Sequence, residues 1–222
     1  MIVGSPPVVL FDLDGTVSDS APGILAALRH AFAVTGVPAP DARTQRGLLG
    51  PPFYESLPPL IGDVPLADVI AAYREFYATA MFDTVAFDGV PALLERLHTD
   101  GIRLAVATSK PERYAVPIVE HLGVAGLFEV IGGDALDGSR GTKALVIAHV
   151  LAGLGEPDPS GVVMVGDRSH DVLGARAHGI GCIGAGWGYG LPGELEAAHP
   201  LAICPTVADL AVLLEARDAA AS

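Results

Sequence analysis

The amino-acid sequence predicts an α/β fold: a Rossmann-like parallel sheet core that carries an inserted helical segment. Three observations support this. Short apolar runs recur along the chain and are continuous rather than alternating, the pattern of strands covered on both faces. From Ile102 onward, helical periodicities separate these runs, so strand and helix alternate as in a parallel sheet with right-handed crossovers. After the first run, about seventy residues hold no convincing strand, far more than an ordinary connection needs.

The first strand is expected at Val8 to Phe11. In the stretch that follows, Ile24, Leu25, Leu28 and Phe32 share one helical face, and Leu66, Val69, Ile70, Tyr73, Phe76, Tyr77 and Ala80 share another. Pro38, Pro40, Pro51, Pro52, Pro58 and Pro59 punctuate it. The reading is a helical domain over 17–86 inserted into a core formed by 1–16 and 87–222, with its two crossings as hinges. A helix through Val90, Leu93, Leu94 and Leu97 follows, then a strand at Ile102 to Ala107. The next helix begins after Lys110, and Pro117 is expected to end or kink it. Further strands are expected at Phe128 to Ile131, Val162 to Val165, Ile180 to Ile183 and Leu201 to Ile203. Helices through Leu145, Ala148, Leu151 and Leu154, and through Val207, Leu210, Ala211 and Leu214, complete the alternation. The Ala-rich tail is expected to fray.

The chain has 222 residues, half of them hydrophobic, which suffices for one domain with a smaller insertion. Asp and Glu number 26 against 13 Lys and Arg, a formal net charge of −13. That balance argues against nucleic acid or an anionic membrane surface as partner. No segment approaches the roughly 18 apolar residues of a membrane span; Ala144 to Leu154 comes nearest and contains His149. Residues Met1 to Leu10 have no basic segment and carry Pro6 and Pro7, so no signal peptide is read there and a cytoplasmic protein is expected. Cys182 and Cys204 lack metal-ligand spacing and are expected to be small buried side chains. Monomer and homodimer both stay open.

In an open parallel sheet, ligands bind beyond the carboxyl ends of the strands. The polar residues just past the apolar runs are Asp12, Asp14 and Thr16, then Thr108, Ser109 and Lys110, then Asp167 and Asp171; Lys143 lies near the start of a helix. Two like charges 4 Å apart repel by about 4 kcal/mol at an effective dielectric near 20. Such acids therefore share protons or hold a cation, and an oxygen-only donor set favours Mg²⁺ over Zn²⁺.

The run Phe11-Asp12-Leu13-Asp14-Gly15-Thr16-Val17 resembles the signature of the haloacid dehalogenase superfamily. Thr108 matches that family's second motif, Lys143 the third, and Gly166-Asp167 with Asp171 the fourth. The insertion falls where the family's first-type helical cap falls. Gly-Asp-Arg-Ser-His-Asp-Val-Leu-Gly-Ala, from Gly166 to Ala175, and Trp187-Gly188-Tyr189-Gly190 look like the phosphoglycolate phosphatase-like group. The resemblance implies a Mg²⁺-dependent phosphatase for a small phosphorylated metabolite, with phosphoglycolate as the reference ester. Asp12 would be the nucleophile and Asp14 the acid and base. Asp12, Asp167 and the backbone carbonyl of Asp14 would hold Mg²⁺. Thr108 and Ser109 would bind the phosphoryl oxygens, and Lys143 would offset their charge. Asp171 would hold water at the metal or orient Lys143. Gly50-Pro51-Pro52 resembles the substrate-specificity loop of the family, with Arg46 a nearby candidate contact. The alternatives are a mutase of the β-phosphoglucomutase kind, or a 5'-nucleotidase or pyrophosphatase of the same superfamily. Dehalogenase chemistry is disfavoured, because those relatives lack the acid that Asp14 supplies.

Of the remaining polar residues, Lys110 is expected to start a helix with its head in solvent, Arg140 to be solvated, and His170 to sit in a surface turn. Gly184, Gly186, Gly188 and Gly190 are expected to form a close-packed loop.

Overall fold

The computed structural model describes residues 7–137 and 139–215. The start of the chain and the Ala-rich tail, whose fraying the sequence suggests, lie outside the described residues. The elements in chain order are β1 (Val8–Phe11), β2 (Ser18–Asp19), α1 (Ala21–Thr35), α2 (Ala42–Gly47), α3 (Phe53–Ser56), α4 (Pro58–Ile61), α5 (Leu66–Ala80) and β3 (Val85–Ala86). They continue as α6 (Val90–Thr99), β4 (Arg103–Pro111), α7 (Glu112–His121), β5 (Val130–Asp134), α8 (Lys143–Gly153) and β6 (Val162–Gly166). The chain closes through α9 (Ser169–Arg176), β7 (Gly181–Ala185), α10 (Glu194–Ala198), β8 (Ala202–Cys204) and α11 (Val207–Glu215).

Six strands form one sheet in the order β5-β4-β1-β6-β7-β8, every neighbouring pair parallel. β1 lies inside, flanked by Arg103 and Val162 opposite Val8. Its continuous apolar character follows from cover on both faces. Val9 and Phe11 pack with Leu93, Leu94 and Ile118 on one side, while Val8 and Leu10 pack with Val146, Ile147 and Val150 on the other. Each such side chain contributes about 1.5–3 kcal/mol by leaving water. Helices α1–α5 follow β2, and their own apolar cluster joins Ala27, Leu28 and Phe32 to Val69, Tyr73 and Tyr77.

The sequence reading missed one ladder and shifted others. β2 and β3 pair antiparallel, Ser18 with Ala86 and Asp19 with Val85, and clasp the two crossings of the helical insertion side by side. Two residues per strand leave no period to detect. β5 begins at Val130 and runs through Gly132 and Gly133, beyond the apolar run expected at Phe128 to Ile131. A side chain at Gly132 would meet Val150, and one at Gly133 the backbone of Lys110, so packing against α8 and β4 selects glycine there. β7 and β8 likewise begin one residue later than expected.

Pro117 does not end α7, which runs on to His121. An internal proline costs about 3 kcal/mol. Buried Ile118 and Val119, each contributing about 1.5–3 kcal/mol, offset it. Both cysteines are buried and free, as expected. Among the described residues no helix is long and apolar enough to cross a membrane.

Candidate active site

At the end of β1 the chain turns sharply. The Asp12 amide still donates to Val165 of β6 at 2.9 Å, and the Leu13 carbonyl accepts the amides of Val17 and Ser18 at 2.9 and 2.8 Å. Gly15 makes this turn possible with φ +88°; a Cβ there would lie 2.3 Å from an Asp167 oxygen. The first motif is thus wrapped directly onto the fourth.

Asp12, Asp167 and Asp171 are buried, and a carboxylate oxygen from each lies within 4.8 Å of the others. Asp167 accepts hydrogen bonds from Thr16 Oγ1 at 3.3 Å and from the Tyr189 amide at 2.7 Å. Asp171, in the first turn of α9, caps that helix by accepting the Arg168 amide at 3.0 Å. Its other oxygen meets Lys143 Nζ at 2.7 Å, and the same ammonium lies 2.8 Å from Asp12 Oδ1 and donates to the Ala107 carbonyl at 3.0 Å. Lys143 can reach them because Thr142 caps α8 and so makes Lys143 its first residue, while Gly174 leaves room for its stem. Of the two roles considered for Asp171, its contact here is the one with Lys143.

Burial shapes these groups. It pushes the Asp167 carboxyl well above the usual range, and the neighbouring Asp12 and Asp171 push it the same way. Burial raises Asp171 too, against the pull of Lys143. Burial alone lowers the Lys143 ammonium, but Asp12 and Asp171 outweigh it and hold the group above its ordinary value. Three carboxylates against one ammonium leave two formal negative charges, so a hard divalent cation fits the donor set in charge and in chemistry.

Asp14 has different partners. Its carboxylate pairs with Lys110 Nζ at 2.9 Å and accepts the Ser20 hydroxyl. Lys110 is only 9% exposed and donates to Tyr77 Oη of α5 at 2.6 Å. The expectation of a solvated Lys110 is therefore wrong: extension of β4 to Pro111 carries residue 110 along the sheet edge, where the insertion covers it. Its place two residues after Thr108 was the available signal. Thr108 is buried and its hydroxyl accepts the Lys110 amide at 3.2 Å.

A cavity of about 440 Å³ opens between the insertion and this edge, and Asp14, Ser109, Lys110 and Gly50 all line it. Gly50, with φ +102°, lies against the Arg168 side chain, which donates to the Leu49 carbonyl. The sequence motifs contain Arg168 and Tyr189 but assign neither a role. Arg168 ties this loop to Glu194 at 2.9 Å, and Tyr189 Oη donates to Asp19 Oδ1 at 2.8 Å beside the β2–β3 clasp. Arg46 is exposed and donates to the Gly188 carbonyl at 3.4 Å. Arg140 is not free in solvent but pairs with Glu112 at 3.1 Å. His170 lies in α9 beside a second cavity of about 220 Å³ that Ser109 and Lys143 also line. The glycine-rich loop is close-packed as expected, Gly188 and Gly190 both lying against Asp167.

Glu194 joins two segments of this edge. Burial works against its carboxylate, but the amides of Leu191 and Ser169 and the Arg168 guanidinium hold it down at about 2. A depressed carboxylate stabilises the fold above its ordinary value of 4.5, and that stabilisation is lost as the pH falls toward 2. After allowance for solvent screening it is worth about 1–2 kcal/mol. Glu194→Gln is expected to lose that amount in urea melts at pH 7 and to converge with the wild type near pH 2. A constant difference across this range would show that charge is not the cause.

The family model for haloacid dehalogenase-like hydrolases matches residues 9–185. The tyrosine-protein kinase PtkA of Mycobacterium tuberculosis is 49% identical over 187 residues, 84% of this chain, and the match spans 64% of that protein's length. A 5'-nucleotidase of Pseudomonas aeruginosa is 38% identical over 217 residues, 94% of this chain and 96% of its own. Among solved structures, a predicted phosphatase from Clostridium acetobutylicum superposes with a TM-score of 0.88 at 33% identity, covering 96% of this chain and 99% of that one.

Proposed function

The chain belongs to the haloacid dehalogenase-like hydrolases, and from that premise we propose that it is a Mg²⁺-dependent phosphomonoesterase for a small phosphorylated metabolite. The observation that carries this reading is the pairing of two differently held acids. Asp12 sits in a charge cluster with Lys143, and Asp14, two residues on, pairs with Lys110 and lines the cavity. In the proposed reaction an Asp12 oxygen attacks phosphorus, and the bond from phosphorus to the ester oxygen breaks. Asp14 gives that oxygen a proton, so an alcohol leaves and an aspartyl-phosphate stays. Water then attacks phosphorus and Asp14 takes its proton, which releases phosphate and restores Asp12. Lys143 offsets charge on Asp12 and the phosphoryl group, and Thr108 and Ser109 hold its oxygens. Asp12, Asp167 and the Asp14 backbone carbonyl would hold Mg²⁺, which supplies further positive charge to the transferring group.

Residues 17–86 serve in this reading as a cap that excludes water while the ester is bound, moving on the β2–β3 clasp. Phosphoglycolate, the ester that the resemblance implies, and nucleoside 5'-monophosphates both suit the reaction and differ in the alcohol that leaves.

The protein is expected to release phosphate from 4-nitrophenyl phosphate, to stop with EDTA and to resume with Mg²⁺. Mg²⁺ at 100 times its Kd adds about 2.7 kcal/mol of stability, visible as a Tm higher by several degrees. Isomerised hexose 1-phosphate without released phosphate would make the protein a mutase instead. Phosphate passed from ATP to a tyrosine peptide, with none released from esters, would make it a kinase.

A further inference from the structure

The cavity of about 440 Å³ is lined by Asp14, the group placed to protonate the leaving oxygen, so what fills it is the alcohol half of the ester. Phe53, Tyr54, Tyr73, Tyr77 and Tyr114 line it. Tyr73 stacks on Tyr77 with ring centroids 5.0 Å apart and planes at 18°, Phe53 meets Tyr73 edge-on at 4.7 Å, and Tyr114 meets Tyr77 edge-on at 5.7 Å. Tyr77, its ring covered by Tyr73 and by Lys110 Nζ at 4.7 Å, backs the wall, and the apolar aromatic surface that remains suits a planar ring. Burial pushes the Tyr73 and Tyr77 phenols up, so these walls stay uncharged. The volume lies within the range of pockets for ring-bearing ligands, and a two-carbon acid would leave most of it to water.

The polar groups narrow the choice. Asp134, at the end of β5, lines the cavity and is 8% exposed; its buried Oδ1 has no hydrogen-bond partner among the described residues. A buried acceptor in that state needs a donor, and a ligand in the cavity can supply one. Asp137 lines the same cavity. Of the two lining cations, Lys110 is committed to Asp14 and Tyr77, and Arg74 donates to the Leu136 carbonyl at 3.4 Å. A second carboxylate, such as that of glycolate, would find Arg74 there but would also face the two aspartates.

We infer that this cavity is a leaving-group pocket for a planar ring that donates a hydrogen bond to Asp134, and that the preferred esters are nucleoside monophosphates rather than phosphates of short carboxylic acids. This rests on the phosphomonoesterase reading. Burial also holds the Asp134 carboxyl above its ordinary value, against the pull of the backbone amides of Ala135 and Arg140.

The test is kcat/KM on AMP, GMP, ribose 5-phosphate, phosphoglycolate and a phosphotyrosine peptide, with Mg²⁺ present. AMP or GMP is expected to exceed ribose 5-phosphate, which lacks the ring, by about tenfold or more, and phosphoglycolate by a wider margin. In Asp134→Ala the ratio of nucleotide to ribose 5-phosphate falls about tenfold. Because the ratio is internal to each protein, a partly unfolded variant does not distort it. Phosphoglycolate preferred by the wild type, and lost in Arg74→Gln, would overturn the inference. So would a phosphotyrosine peptide preferred over nucleotides, or an unchanged ratio in Asp134→Ala. Failure to hydrolyse any ester, 4-nitrophenyl phosphate included, would instead strike the phosphomonoesterase reading.

Discussion

Asp12→Asn is expected to lose phosphatase turnover by roughly 10⁴-fold or more while the protein stays folded. The amide keeps the shape of the carboxylate but cannot attack phosphorus, so the covalent route closes. The effect on stability has opposing parts. Lys143 loses a partner at 2.8 Å, but Asp167 and Asp171 lose a neighbouring negative charge. These changes offset each other, so the Tm of the metal-free variant should stay close to that of the wild type. The rise in Tm on adding Mg²⁺ should shrink, since a negative charge is gone and the amide oxygen that remains is a weaker donor. Turnover retained with Asn at this position would remove Asp12 from the nucleophile role. A collapsed Tm would mean that the loss of activity reports folding instead.

Lys143→Met should produce the largest loss of stability, about 3–5 kcal/mol at pH 7 in urea melts. Methionine fills the volume of the lysine stem and removes only its charge and hydrogen bonds. Asp12 and Asp171 would then share a buried site with Asp167 and no cation. The pH dependence has a definite sign. The Lys143 ammonium is held above its ordinary value of 10.5, so its contribution is fully present at neutral pH and lost only as the pH rises through that raised value. Carboxyls raised in the fold destabilise it when ionised, so the variant should recover relative to wild type as the pH falls from 7 toward 4. Mg²⁺ should restore part of the loss at pH 7. A variant as stable as the wild type at pH 7 would show that Lys143 does not compensate the cluster.

The sheet core was legible because burial on both faces demands unbroken apolar runs, as at Val8 to Phe11 and Val162 to Val165. β5 was read two residues early because its glycines were selected by the approach of Val150 and of the Lys110 backbone, which hydrophobicity does not register. Lys110 was misjudged for a related reason. A lysine after a strand reads as solvated until the insertion is folded over it and Tyr77 is brought to its ammonium.

What the sequence determined by itself is the set of groups at one sheet edge. Parallel strands send all their carboxyl ends to the same side, so Asp12, Asp14, Thr108 and Asp167 must gather there wherever else the chain goes. Tertiary structure alone decided their pairing: Lys143 with Asp12 and Asp171, Lys110 with Asp14, and Asp134 left with an unmatched oxygen in an aromatic cavity. These partners lie far apart along the chain, as with Thr16 and Asp167, which are 151 positions apart. Periodicity says which face a residue occupies on its own element. Electrostatic pairing depends on ångström distances between elements, and only the packed fold sets those distances.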